Sequence, residues 1–188
     1  MNMEKKFELT DNFIINAFGV KLFQIKCTKS FKYAKEGDLG GYVEKDENLD
    51  QESDAWVYGN AEVYGNARVS GNARVYGDAR VYGNARVSGN AEVYGNAWVY
   101  GDARVYGNAE IDNNNKHCGF DCFGSANRHT HAYLTKENKV EITCGCFRGS
   151  IEEFEKRVEE THSGTIYEKQ YKAIIDVIKI KFGLTDLI

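Results

Sequence analysis

The sequence predicts a mainly β fold, in which a single-stranded parallel β-helix of about three coils is the central element. A six-residue unit, Ala-X-Val-Tyr/Ser-Gly-Asn/Asp, repeats almost without error across residues 55–111. A period of six fits no face of an α-helix, but it is the hexapeptide period of parallel β-helices. Serine replaces the tyrosine of the unit at Ser70 and again eighteen residues later at Ser88. That recurrence predicts three short strands in each coil.

Residues 1–54 are predicted to form a β cap and a lead-in segment. Residues 13–25 hold two runs rich in β-branched and aromatic residues, with a turn near residues 16–19. A β-hairpin there would cover the open first coil, because the end of a solenoid exposes apolar side chains and unpaired strand edges. The glycine-rich residues 37–41 are interpreted as turns, since no Gly-Lys-Ser/Thr follows them as in a phosphate-binding loop.

Residues 55–111 form the predicted β-helix, and strand alternation sorts their side chains into core and surface. Ala and Val of each unit point inward, whereas X and Tyr/Ser point outward. Gly with Asn or Asp makes each corner, because these residues tolerate positive φ. Stacked coils then present three faces. The predicted arginine face comprises Arg68, Arg86, Arg104, Ser70, Ser88 and Tyr106. The two tyrosine faces carry Tyr58, Tyr76 and Tyr94 on one side, and Tyr64, Tyr82, Tyr100 and Trp98 on the other.

Residues 112–188 are predicted to form a separate small domain with a ββαα order. The polar run at residues 112–115 ends the repeat. Residues 130–135 and 140–144 have the composition of paired strands, joined by a loop at residues 136–139. Two helices follow, with Ser150 and Thr165 as N-caps, and each has a glutamate three residues later, as in a capping box.

The residues that open the repeat carry a resemblance to a known family. Residues 37–43 (GDLGGYV), 47–49 (ENL) and 54–61 (DAWVYGNA) resemble the opening segment of YdcK-like hexapeptide-repeat proteins. These proteins are similar in outline to the left-handed β-helix acyltransferase superfamily, so the resemblance implies a left-handed helix and trimers formed through flat faces. It brings no catalytic residue, because the acyltransferases use a histidine near the coils and residues 55–111 contain none.

The last part of the chain carries a second resemblance. Residues 144–149 (CGCFRG), with residues 152–154, residues 160–162, Tyr167 and Tyr171, resemble a tail found on phage-encoded proteins. That resemblance implies a phage setting and no particular chemistry.

Composition narrows the classes of partner and compartment. The 188-residue chain has a net charge of −4, and charged residues occur in all three regions, which disfavours a duplex-DNA binder. The charged first residues predict no signal peptide, and no window predicts a membrane span. Five cysteines, an odd number, are expected to stay reduced. A cytoplasmic location without membrane attachment is therefore predicted.

The arginine face is the first candidate site for a ligand or partner. Three arginines on stacked strands would repel one another unless an anion, an acidic partner or stacking against Tyr106 offsets the repulsion. A solvated face with splayed side chains in screening salt is the alternative. The tyrosine faces with Trp98 are the predicted oligomer interface, because broad amphipathic aromatic surfaces are enriched at interfaces. A homo-oligomer, either a trimer or a dimer, is expected.

The C-terminal region holds four of the cysteines and all four histidines, yet no metal site is predicted. The weak zinc candidates are Cys118, Cys122, Cys144 and Cys146. Their spacing differs from the paired Cys-x2-Cys of zinc knuckles, and a strand face shared with Ile142 would make Cys144 a small core residue. A nucleophile pair of Cys146 and His162 is conceivable, but the sequence offers no third orienting group or oxyanion-hole motif.

These observations favour a non-enzymatic binding or assembly module that needs no cofactor. With the phage resemblance, the hypothesis extends to an inhibitor of a host defence factor or a sequestering protein for a nucleotide-like, phosphate-bearing ligand. One alternative is a hexapeptide-repeat acyltransferase that uses acetyl-CoA and one of His117, His129 or His131. Another alternative is a structural protein that self-assembles.

Overall fold

The computed structural model describes residues 5–184 and divides the chain into two compact units, residues 1–113 and 114–188. The first unit opens with strands β1 (Phe7–Ile15) and β2 (Lys21–Cys27), which pair antiparallel. The Asn16 side chain holds the turn between them, because its carbonyl oxygen accepts hydrogen bonds from the backbone N–H groups of Phe18 and Val20, both at 3.0 Å. The predicted hairpin is confirmed.

This hairpin protects the solenoid by pairing with it. β2 pairs antiparallel with β3 (Leu39–Val43), the strand that begins the first coil. Leu22 and Ile25 are fully buried. Gly40 permits this packing, because a Cβ atom at that position would lie 2.5 Å from Cγ1 of Ile25. The hairpin therefore extends one sheet of the solenoid, an arrangement that covers the strand edge as well as the apolar core.

Ten further two-residue strands complete the coils. They are β4 (Trp56–Val57), β5 (Glu62–Val63), β6 (Arg68–Val69), β7 (Arg74–Val75), β8 (Arg80–Val81), β9 (Arg86–Val87), β10 (Glu92–Val93), β11 (Trp98–Val99), β12 (Arg104–Val105) and β13 (Glu110–Ile111). Parallel pairing sorts them into three sheets, ordered β3-β5-β8-β11, β4-β7-β10-β13 and β6-β9-β12. Each strand pairs with the strand eighteen residues away, which confirms the predicted three strands in each coil.

The predicted count of about three coils is wrong, because the solenoid has about four turns. The lead-in segment forms the additional turn. Its strand β3 pairs parallel with β5, and Leu49 forms a parallel bridge to Val69. Val43 and Leu49 are buried at 0% and 1% exposure and so occupy the inward positions of the repeat. The pattern is hidden in the sequence because eight residues, not six, separate Leu49 from Val57.

Apolar burial and tight corners hold the coils together. The inward alanines and valines of the repeat are 0–2% exposed, and full burial of one valine contributes about 1.5–3 kcal/mol. The corner glycines have positive φ, and a Cβ on Gly71 would lie 3.0 Å from the backbone nitrogen of Gly89 in the next coil. Corner amides also bond between coils: Asn84 Nδ2 donates to Asp102 Oδ1 at 2.9 Å.

The second unit is an antiparallel sheet with two helices. Its elements are β14 (His117–Phe123), β15 (Arg128–Leu134), β16 (Val140–Cys144), β17 (Phe147–Gly149), α1 (Ile151–His162) and α2 (Ile166–Lys181). The predicted hairpin of β15 and β16 and both helices are confirmed. Ser150 and Thr165 accept hydrogen bonds from the N–H groups of Glu153 and Glu168, as their capping patterns predict.

The predicted ββαα order is wrong because the sheet has four strands. β14 has an exposed, glycine-containing sequence with little alternation, and β17 has only three residues, so neither resembles a strand on its own. Both are strands because they pair with β15 and β16, respectively. Across residues 5–184, no helix has the length and apolar character that crossing a membrane requires.

Candidate functional site

The arginine face is built by β6, β9 and β12, which place Arg68, Arg86 and Arg104 in one column. Adjacent strands of a sheet are about 4.8 Å apart, so the column presents guanidinium groups from successive coils. All three arginine side chains are exposed. Ser70 and Ser88 form the next column and are partly buried. The structure thus has these arginine and serine side chains on one face, as the sequence predicts.

Two shallow grooves flank the arginine column. The first has a volume of about 570 Å³ and is lined by Arg68, Arg86, Ser70, Ser88 and Tyr106, together with residues of the lead-in segment. The second, of about 500 Å³, lies along the corner amides Asn66 and Asn84 and shares Arg68 and Arg86 with the first. These two arginines thus stand between the grooves, and Arg104 lines neither of them.

Arginines on the other two faces have carboxylate partners. Nη2 of Arg74 lies 2.6 Å from Oε1 of Glu92, one coil away, and Nε of Arg80 lies 3.5 Å from Oε1 of Glu62. Glu92 and Glu62 are each only 8% exposed, and a buried carboxylate is destabilising unless a cation pairs with it. On these faces, each arginine is therefore neutralised by a glutamate of a neighbouring coil.

Arg68 and Arg86 have different surroundings. Within residues 5–184, their side chains form no hydrogen bond and no ion pair. Two neighbouring cations are therefore held on one face, and their guanidinium donors have no acceptor among these residues. This is the main electrostatic feature that distinguishes the arginine face from the tyrosine faces.

The lead-in segment adds acidic groups to the first groove that the sequence prediction missed. Asp46, Glu47 and Asp50 line it next to Arg68. Asp46 forms an ion pair with Lys5 at 2.6 Å. The Asp50 N–H donates to the carbonyl of Val69 at 3.0 Å, which places Asp50 ahead of the serines in their column. A match of Leu49 to the inward valines of the repeat would have revealed this column.

The tyrosine ladders consist of stacked rings. Tyr58 and Tyr76 have centroids 4.9 Å apart, and Tyr64 and Tyr82 have centroids 5.0 Å apart, with nearly parallel planes in both pairs. Tyr94 and Tyr100 continue the two stacks at 4.8 and 5.4 Å. Trp98, beside the second stack, has the guanidinium of Arg80 5.1 Å from its ring centroid. The rings of each ladder therefore stack on one another within a single chain, and this stacking needs no partner.

Burial and hydrogen bonding keep these phenols protonated. Burial is the main cause that raises the pKa of Tyr64 to about 12. The Tyr94 hydroxyl donates to Glu110 at 2.7 Å, and this bond raises the Tyr94 pKa to about 12. Burial, followed by a hydrogen bond to Glu92 at 3.0 Å, also raises the pKa of Tyr76.

The weak zinc candidates do not form a metal cluster in the described part of the chain. Within residues 5–184, no group of three or more His, Cys, Asp or Glu residues is arranged to hold a metal ion. Cys144 is buried, and Cys122 and Cys146 are exposed. Burial raises the pKa of Cys118 to about 11, so its thiol stays protonated. Cys146 and His162, the conceivable nucleophile pair, line one pocket of the second unit.

The three other histidines lie on the first two strands of the second unit. Nδ1 of His117 is 3.0 Å from Nε2 of His131, and Nδ1 of His129 is 2.5 Å from Oδ1 of Asp121. His117 and His131 are almost fully buried. The Nε2 atoms of His117 and His129 are buried and have no hydrogen-bond partner among the described residues.

Comparison with protein families supports the repeat assignment. Residues 61–101 match the YdcK beta solenoid repeat in five overlapping segments: 61–77, 67–83, 73–89, 79–95 and 85–101. The match lies within the coils that carry the arginine and tyrosine columns. No curated protein matches the chain. The repeat is therefore similar to YdcK-like solenoids, and the surroundings of its side chains carry the functional argument.

Proposed function

We propose that this protein is a non-enzymatic binding module whose arginine face holds a phosphate-bearing, nucleotide-like ligand. The observation that supports the proposal is the contrast between Arg74 and Arg80, which have glutamate partners, and Arg68 and Arg86, which have none among residues 5–184. Guanidinium groups on adjacent strands of one column repel each other, and water and salt screen part of this repulsion because both side chains are exposed. A phosphate between the two guanidiniums would replace that repulsion with charge-assisted hydrogen bonds.

The other groups of the first groove suit the remaining parts of such a ligand. Ser70 and Ser88 offer hydroxyl donors beside the arginines, and Tyr106 offers an aromatic ring at the far end. Glu47 and Asp50 supply acceptors at the lead-in end, where ligand hydroxyl or amino groups would bind. A bare anion would use only the arginine and serine donors and would leave the acceptors of Glu47 and Asp50 without a partner. The groove therefore favours a phosphate that carries a polar body.

Charge reversal at Arg86 tests the function. Calorimetric titration of wild-type protein with adenosine and guanosine monophosphates and with cyclic dinucleotides should detect a ligand, and Arg86→Glu should abolish its binding. Lys169→Glu makes the same charge change at an exposed position of α2 and should retain binding. Wild-type affinity in Arg86→Glu, or no nucleotide binding at all, would contradict the proposal.

The left-handed sense of the solenoid, the homo-oligomer and the phage setting belong to this proposal as extensions of the resemblances. A trimer or dimer would join tyrosine faces and leave the arginine faces accessible to ligand. In a phage-infected bacterial cytoplasm, sequestration of a nucleotide signal would inhibit a host defence factor. In a variant of this proposal, a host protein binds the arginine face directly. Arg86→Glu should then abolish the co-purification of that host protein.

The acyltransferase and self-assembly hypotheses make different predictions. An acyltransferase would bind acetyl-CoA, so a calorimetric signal with acetyl-CoA and a raised melting temperature would favour that hypothesis. A structural filament protein would associate head to tail without closure. Light scattering would then show a mass that keeps increasing with protein concentration.

A further inference from the structure

The second unit contains a pocket that is independent of the repeat. Its volume is about 300 Å³, at the lower end of the range of about 300–1,000 Å³ for small-molecule sites. It lies between the β15–β16 side of the sheet and helix α1, with Tyr171 of α2 contributing to its wall. Its lining residues belong to the unit that comprises residues 114–188.

Aromatic side chains form the floor of this pocket. The Phe147 and Phe154 centroids are 5.0 Å apart, and Phe154 meets Tyr171 edge-on at 5.6 Å. Phe154 and Tyr171 are 3% and 5% exposed, so their positions are set by the core of the unit. His162 stacks on Tyr171 at 5.5 Å and extends the aromatic lining. Such a floor accepts a planar apolar group in an offset or edge-on arrangement.

Cations without carboxylate partners surround this floor. Arg128 and Arg157 line the pocket, and neither side chain forms a hydrogen bond or ion pair with residues 5–184. No aspartate or glutamate is among the residues that line it. Two lysines of α2 do have carboxylate partners: Lys172 binds Glu168 at 2.8 Å, and Lys179 binds Glu155 at 2.6 Å. The positive charge at the pocket is therefore unbalanced within the described residues.

We propose that this pocket binds a small aromatic anion, whose ring lies on Phe147, Phe154 and Tyr171 and whose carboxylate or phosphate group pairs with Arg128 and Arg157. A neutral ring would leave the guanidiniums without a partner, and a bare inorganic anion would leave the apolar floor in water. The complementary ligand must therefore carry both groups. This site lies in a different unit from the arginine face, and it is argued from different residues, so it does not rest on the ligand proposed there.

Calorimetric titrations with benzoate and phenyl phosphate test the site, with phenol and inorganic phosphate as the matched probes that lack one of the two groups. At least one aromatic anion should bind, and both matched probes should bind at least tenfold more weakly. Binding of benzoate alone would identify the ligand as a carboxylate, and binding of phenyl phosphate alone would identify it as a phosphate. Binding of both would show that the site accepts an aromatic ring with either anionic group. Failure of both aromatic anions, or equal affinity for inorganic phosphate, would overturn the proposal.

Variants locate the binding. Arg157→Gln should lower the affinity for the aromatic anion by about tenfold, because one charge-assisted hydrogen bond is lost. Lys156→Gln removes a charge from the adjacent exposed position of α1 and should leave the affinity unchanged. Phe147→Leu changes a partly buried ring and should also weaken binding. Equal losses in Arg157→Gln and Lys156→Gln would contradict the proposal, and Arg86→Glu should retain this binding whatever its effect on the arginine face.

Discussion

At the scale of single residues, the five arginines of the repeat have two kinds of surroundings although they occupy equivalent positions in the unit. Arg74 and Arg80 stack above or below glutamates, whereas Arg68, Arg86 and Arg104 stack with one another in their own column. Arg74 and Arg80 therefore neutralise glutamates within the solenoid, whereas Arg68 and Arg86 are the arginines that we propose bind a ligand. Arginines at equivalent positions of the unit therefore have different surroundings.

Two matched substitutions separate these roles. Arg74→Gln should lower the free energy of unfolding by about 1–2 kcal/mol, because the largely buried Glu92 loses its ion pair. Arg86→Gln should change it by less than about 0.5 kcal/mol, since no described partner is lost. Urea denaturation followed by circular dichroism measures both. Equal destabilisation by the two substitutions would show that Arg86 has a structural role.

At the scale of elements, the tyrosine ladders couple successive coils. Rings of one stack lie 4.8–5.4 Å apart, and hydroxyls of Tyr76 and Tyr94 bond to glutamates of the next coil. Each interaction joins residues that are far apart in sequence but one coil apart in space. The ladder is the solenoid counterpart of cross-strand pairs in ordinary sheets, and it stiffens the face on which a partner would dock.

The ladders make the stability of the solenoid sensitive to alkali. An ordinary tyrosine has a pKa of about 10, whereas Tyr64 and Tyr94 have pKa values of about 12 in the fold. Between these values the unfolded chain releases protons that the folded chain keeps, so the free energy of unfolding should fall as pH rises from about 10 to about 12. Below about pH 10 these tyrosines should contribute no pH dependence.

Denaturation curves across this pH window give the measurement. Tyr76→Phe combined with Tyr94→Phe keeps the stacked rings and removes two of the titrating hydroxyls, so the slope of stability against pH should be smaller in the double variant. Comparison of slopes, not of absolute stabilities, excludes the effect of the lost hydrogen bonds. An identical slope in the wild type and the double variant would contradict this account.

At the scale of the whole molecule, two compact units carry two chemically different surfaces. The first unit offers stacked cations beside carboxylates, and the second offers an aromatic pocket with unpaired arginines in the described chain. The tyrosine faces remain the proposed interface between copies. Tyr100 at the end of one ladder is 54% exposed, so part of this aromatic surface is open to a partner.

The oligomeric state tests the interface. Wild-type protein should elute as a trimer or dimer in size exclusion with light scattering, and Tyr100→Ser should shift it toward the monomer. Ile180→Ser removes a comparably exposed apolar side chain, at 66% exposure, from α2 and should leave the oligomer intact. A monomeric wild type, or dissociation by both substitutions alike, would place the interface elsewhere.

Much of the architecture was predictable because repeat positions in the sequence become columns in space. The period of six and the recurrence of Ser70 and Ser88 sufficed for a parallel solenoid with three faces. The first coil was missed because two extra residues between Leu49 and Val57 shift the register. Strands β14 and β17 were missed because they depend on pairing with their neighbours and have little intrinsic pattern.

By itself, the sequence determined which side chains share a face, since parallel strands of equal length stack residue upon residue. Only the tertiary structure decided which charges are neutralised. Pairing depends on side-chain direction and on neighbours contributed by non-repeating segments, such as Asp46 and Asp50 in the first groove of the arginine face or Arg128 and Arg157 in the pocket of the second unit. These groove and pocket linings bring together residues with no shared period, so no pattern along the chain contains them.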